Sequence, residues 1–185
     1  MPSMHDPRAI ANLILDEGER TSQPVTNLAL QKLLYFAHAL FLIERKEPLV
    51  SGYFEAWQYG PVHPTVYQSF KCAGDQPIAF RAMATHVLTG ERTAIVPIAD
   101  PKIARHIQRI MMFYGGLTPG RLVEISHARG APWDFVVENS RGTLSLGLRI
   151  PDDLIRERFK YHKVSVTEEP KLGEPGDDSP ILARN

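Results

Sequence analysis

The sequence predicts a mainly α, compact helical domain with a small β-hairpin or short strands, and three observations predict it. Asp6-Pro7, His63-Pro64, Asp100-Pro101 and Thr118-Pro119 repeat one helix-start device. A proline at the first helical position gives up an N–H that has no intrahelical partner anyway. The run "LALQKLLYFAHALFLIE" is apolar at helical spacing nearly all the way round, which places it at the centre of a fold rather than on its surface. Runs rich in β-branched and aromatic residues are few and short. The chain has 185 residues, 43% of them hydrophobic, enough for one ordinary core and too few for two. The domain is read over residues 1–163, with a tail over 164–185.

Taken in order, the first helix begins with Asp6 as N-cap and carries Ile10, Leu13, Ile14 and Glu17 at helical spacing to a stop at Gly18. Thr26 caps the central helix, whose Leu30, Leu33, Leu34, Ala37, Leu40 and Phe41 form one stripe. "YFEAWQY" is aromatic and β-prone and reads as a short extended piece or edge strand. The turn "YGPVHP" leads into the short helix "PTVYQSFK", ended by Gly74-Asp75. Within 76–99, Thr89-Gly90-Glu91 separates two β-branched runs as a hairpin loop would. "KIARHIQRIMMFYGG" and "GRLVEISHARG" are helices closed by glycine, and "APWDF" is a corner in which Pro132 and Trp133 cover the core. The last helix, "PDDLIRERFKYHK", offers Leu154, Ile155, Arg158 and Phe159 to the body. From Val164 onward the sequence is rich in Pro, Gly and acids without periodicity, and is expected to be disordered.

Composition narrows the function classes. Lys and Arg number 21 and Asp and Glu 21, so the net charge is +0 and gives no bulk attraction to phosphate backbones or anionic lipid. The single cysteine, Cys72, allows neither an internal disulfide nor a cysteine zinc cluster, fits a reducing cytosol, and reads as a small buried hydrophobe. The N-terminal stretch carries Asp6, Asp16 and Glu17 where a signal peptide would be uncharged, and no apolar run reaches the roughly 20 residues of a membrane span. The expected location is cytoplasmic, with no membrane partner.

No constellation calls for catalysis. Glu124, Ser126 and His127 are the suggestive local grouping, but adjacent helical residues point about 100° apart and cannot pair as nucleophile and base. His127 and Arg129 instead suit the last carbonyls of a helix. Histidine pairs at metal-binding helical spacing are absent, as are the glycine cradles of nucleotide sites, and His38 and His63 read as structural histidines. The chain is expected to be no enzyme and to need no cofactor or metal. Residues 106–129 form two helices joined by a glycine turn, so a DNA-binding autorepressor is the second reading. Its second helix offers only Arg121 and Arg129 and includes Glu124, which is poor in donors for base edges and phosphates.

The stretch "FEAWQYGPVHPTVYQSFK" carries the leading reading. Trp57, Tyr59 and Tyr67 each join an apolar face to a polar atom, as residues at protein-recognition hot spots do. Gly60 permits a backbone bend and Pro61 fixes the next φ, so the segment is a rigid corner presenting aromatics. The candidate partner-binding residues are Trp57, Gln58, Tyr59, Gly60, Pro61, His63 and Tyr67. For Trp57 a place in its own core has the stronger claim, whereas Gln58, Tyr59 and His63 are expected to be exposed.

These residues also carry a resemblance. "LQKLLYFAHALFL", "FEAWQYGPVHPTVYQSFK", "LVEISHARGAPW" and a final "I…FKYHK" helix resemble, in order and spacing from about residue 8 to about residue 161, the SocA-like antitoxin family. The family is also called Panacea, or GepA-like phage-associated. Its pattern falls on Lys32, Leu33, Tyr35 and Ala37, on Trp57, Tyr59, Gly60, Pro61 and Val62, and on His127, Pro132 and Trp133. The resemblance implies a non-enzymatic antitoxin of a toxin-antitoxin system that binds its cognate toxin directly. In one branch it implies a proteolytic adaptor that delivers the toxin to ClpX in the ClpXP protease. The stretch "AFRAMATHVLTGERTAIVPIADP" is longer and more β-like than the family's plain loop, which suggests an adaptation to this chain's own partner.

Overall fold

The computed structural model describes residues 4–140 and 147–162. Helices start where the cap-plus-proline pairs put them: α1 (Pro7–Arg20), α3 (Pro64–Phe70), α4 (Pro101–Tyr114) and α5 (Pro119–Ser126), with α2 (Asn27–Arg45) starting after Thr26. The caps are made. Asp6 Oδ1 accepts from the Arg8 N–H at 2.8 Å, Thr26 Oγ1 from Ala29 at 3.3 Å, Asp100 Oδ1 from Lys102 at 2.8 Å and Thr118 Oγ1 from Arg121 at 3.2 Å. Each satisfies one of the donors that a helix N-terminus leaves without a partner.

α2 is the hub. Leu30, Leu33, Leu34, Tyr35, Phe36, Ala37 and Ala39 are all buried, and α1, α3, α4, α5 and the final helix α7 (Asp152–Arg158) pack around it. A helix apolar on all sides can be stable only if covered on all sides, since each exposed large side chain would forfeit roughly 2 kcal/mol.

The strands are minor. β1 (Phe54–Trp57) lies between β2 (Gly60–Val62) and β5 (Arg149–Ile150), antiparallel to both, so it is a central strand and not the expected edge strand. A separate hairpin pairs β3 (Met83–Thr85) with β4 (Arg92–Ala94), matching the expected two-stranded element.

Several expectations are corrected. Gly18 does not stop α1. The helix runs on to Arg20, closed by the backbone N–H and hydroxyl of Thr21, both donating to the Glu17 carbonyl. Gly18 instead permits close approach, since a Cβ there would lie 2.8 Å from the Gln23 carbonyl oxygen and 2.9 Å from Val25 Cγ2. "APWDF" is not a plain corner but the start of α6 (Pro132–Asn139), a further proline start whose Gly130 N–H donates to Asp134 Oδ2 at 2.8 Å. The two-residue β5 carries no pattern of its own and is fixed only by pairing with Phe54 and Glu55. Cys72 is exposed in a 3₁₀ turn, Lys71–Ala73, rather than buried. The expected tail over 164–185 lies outside the described residues. Among the described residues no helix is long and apolar enough to cross a membrane, and no group of three or more His, Cys, Asp or Glu could hold a metal ion.

Candidate partner-binding site

The expected Tyr-Gly-Pro turn is a tight hairpin. Trp57 pairs with Gly60, Ala56 with Pro61 and Glu55 with Val62, leaving Gln58 and Tyr59 as the two loop residues. Gly60, at φ 99°, supplies the backbone conformation that L side chains avoid. It also leaves no space, because a Cβ there would lie 2.9 Å from Lys32 Cε and closer still to Ser126 Oγ. Pro61 sits on β2, at the edge of the sheet, where a missing N–H can be tolerated.

Behind the hairpin, buried polar groups fasten it to α2. Lys32, 0% exposed, donates from Nζ to the Pro61 carbonyl at 3.0 Å. Next to it, Gln31 Oε1 accepts from the His63 backbone N–H at 3.0 Å while its Nε2 donates to Asn27 Oδ1 at 3.0 Å. From the other side the Trp133 indole N–H donates to the Trp57 carbonyl at 2.8 Å. The His127 ring stacks on Trp133 with centroids 3.7 Å apart and planes 10° from parallel. Burial, with a smaller contribution from the Lys32 charge, pushes His127 down to about 3, so the ring is neutral at neutral pH. The Ser126 hydroxyl donates to the Val123 carbonyl at 2.8 Å, so its proton is committed to its own helix. Positions named separately from the family pattern, Lys32, Trp57, Gly60, Pro61, His127 and Trp133, thus form one assembly that holds the corner.

The candidate residues divide accordingly. Gln58 is exposed and Tyr59 and Tyr67 are half-buried. Trp57 is buried, as its stronger claim held, with its indole N–H on Glu55 Oε2 at 2.7 Å and its ring 4.7 Å from that of Tyr67. Gly60 and Pro61 are buried too. His63 corrects the expectation of exposure: it is 2% exposed. Its Nε2–H donates to the Ser51 carbonyl at 2.9 Å and its ring stands edge-on to Phe54, so the imidazole ties the residue before α3 to the stretch leading into β1. Of the candidate residues, only Gln58, Tyr59 and Tyr67 keep appreciable solvent-accessible surface, and Thr65 and Gln68 on α3 are exposed as well.

The fastening by Lys32 and Gln31 lay beyond the sequence reading. Its one signal is two polar residues in the middle of an otherwise apolar helix, a pattern that marks buried groups needing specific partners. In the helix pair weighed for DNA, Leu122, Val123 and Ile125 are buried and Arg121 is ion-paired to Glu124 at 2.9 Å.

A mainly α domain built on a buried central helix and a locked Tyr-Gly-Pro hairpin defines the class, and the family model for the Antitoxin SocA-like, Panacea domain matches residues 30–134. The chain belongs to that family. Among curated proteins it is similar to Antitoxin SocA of Caulobacter vibrioides (strain NA1000 / CB15N), with 46% identity over 179 residues, covering 97% of this chain and 95% of that protein. No solved structure matches it.

Proposed function

We propose that this chain is a non-enzymatic antitoxin that neutralises a cognate toxin by direct protein–protein binding, with Gln58, Tyr59 and Tyr67 as the contact. Trp57, Gly60, Pro61 and His63 hold that contact in shape. The likeness to Antitoxin SocA along nearly the full length of both chains carries the role. The geometry supports the surface, because Tyr59 on the tight hairpin loop and Tyr67 on α3, its ring against Trp57, are both half-buried and lose little conformational freedom on binding. The family resemblance supports a further step, delivery of the bound toxin to ClpXP in the cytoplasm.

The test is growth of cells expressing the protein encoded by the neighbouring gene, with and without this chain supplied from a second promoter. Growth arrest relieved by this chain supports the antitoxin role, and rescue that disappears in cells lacking ClpX supports delivery. A harmless neighbour, or one whose toxicity this chain does not relieve, removes the role.

A further inference from the structure

At the end of the molecule away from the hairpin, the last turn of α2 and the first turns of α4 enclose a shallow cleft lined by Phe41, Glu44, Arg45, Lys102, Arg105, His106 and Arg109. Four cations face one carboxylate. Arg109 is paired with Glu44 at 2.6 Å, while Arg45, Lys102 and Arg105 are exposed and have no acidic partner among the described residues. The floor is neutral: His106 gives its Nε2–H to the Ala37 carbonyl at 2.8 Å and accepts from Arg109 at Nδ1 at 3.1 Å. Arg45 also stands in the last helical turn, where the dipole already accommodates one cation and does nothing for the others.

The opposite charge lies in the same chain. Residues 164–185 contain Glu168, Glu169, Glu174, Asp177 and Asp178 against Lys171 and Arg184, a balance of −3, so with the whole chain at +0 residues 1–163 carry +3. The starting point is also close. His162, the last described residue, has its ring 6.0 Å from that of Phe36 on α2. Eight or nine residues of helix separate Phe36 from Glu44 and Arg45, about 13 Å at 1.5 Å per residue. Six residues of extended chain span up to about 20 Å and twelve up to about 40 Å, so the acids from Glu174 on have length to reach the cleft even by a path around the helix.

We infer that the acidic segment 168–178 docks within its own chain onto the basic cleft between α2 and α4. The inference is independent of the antitoxin role. Docking would occupy this cationic surface and leave the hairpin open, so the two regions would present different chemistry to partners.

Zero-length carbodiimide coupling of the full chain, read by peptide mass spectrometry, tests this through the Lys102 amine. An equal mixture of unlabelled and ¹⁵N-labelled chain separates links within a molecule from links between molecules. The expected result is same-isotope links from Lys102 to Glu168, Glu169, Glu174, Asp177 or Asp178. They should drop several-fold at about 1 M salt, where the screening length is about 3 Å. They should drop likewise in Arg45→Glu/Arg105→Glu, checked for retained helicity. Links of mixed isotope would assign the cleft to a second copy and overturn the proposal. So would segment carboxylates that couple only to Lys163 or Lys171, or coupling indifferent to salt.

Discussion

Gly60 is where backbone and packing constraints coincide. Gly60→Ala must place a side chain at φ 99° and against Lys32 Cε and Ser126 Oγ. The expected loss is about 2–4 kcal/mol, from the left-handed backbone and overpacking together, measured by urea denaturation. Four buried or half-buried histidines set a pH dependence. His127 is pushed down to about 3 and His162 to about 4, both chiefly by burial. Burial lowers His63 and His106 as well. In the unfolded chain these rings titrate near 6.5, so between there and about 4 the unfolded state binds more protons and stability must fall as pH falls. Above about 6.5 the contribution is fully present. Unfolding free energies from urea titrations at pH 7, 6 and 5 should decline with a limiting slope of about 1.4 kcal/mol per pH unit for each of His127 and His162. The decline should be shallower in His127→Gln whatever that variant's absolute stability.

Among elements, helix starts were the most legible, because a cap followed by proline is a local and chemically specific signal. Asp100→Ala should therefore cost about 1 kcal/mol through loss of the bond to the Lys102 N–H. Elements fixed by distant partners were less legible. β5 exists because Phe54 and Glu55 offer it a ladder, and α6 was hidden because Pro132 and Trp133 read equally well as a lid. Trp133 is both, opening a helix and donating to the Trp57 carbonyl. Trp133→Phe keeps an aromatic ring but removes the donor and part of the ring that stacks on His127, so the expected loss is about 1–3 kcal/mol. Hydrogen exchange at the β1–β2 amides should quicken more than exchange in α1. The β3–β4 hairpin should be the fastest-exchanging strand pair in wild type, since β4 is exposed along its length and Val87 and Leu88 at its tip are 96% and 90% exposed.

At the scale of the whole molecule, the residues that look most conspicuous in the corner serve mainly to hold it, and fewer of them face outward. The aromatic composition pointed to recognition, but it could not separate His63 from Tyr59, because burial there depends on Gln31 on α2 and on Ser51 and Phe54 before the turn, which only the fold brings to His63. A binding test should therefore leave His63 and Trp57 in place. Gln58→Ala/Tyr59→Ala should keep the unfolding midpoint within about 0.5 kcal/mol of wild type, as surface changes do. It should weaken toxin binding at least tenfold, about 1.4 kcal/mol, by calorimetry. Unchanged affinity in the folded variant would move the contact elsewhere.

Lys32 gives the molecule an internal clock. Its amine, shut away between α2 and the hairpin, can meet an acylating reagent only when the surrounding structure opens, whereas exposed amines such as Lys46 and Lys102 react at once. The rate at which Lys32 is modified therefore reports how often that part of the protein opens. If it matches the global unfolding rate, the hairpin and the central helix come apart together. A faster rate means the hairpin lifts away by itself, and the proposed contact surface has a motion of its own.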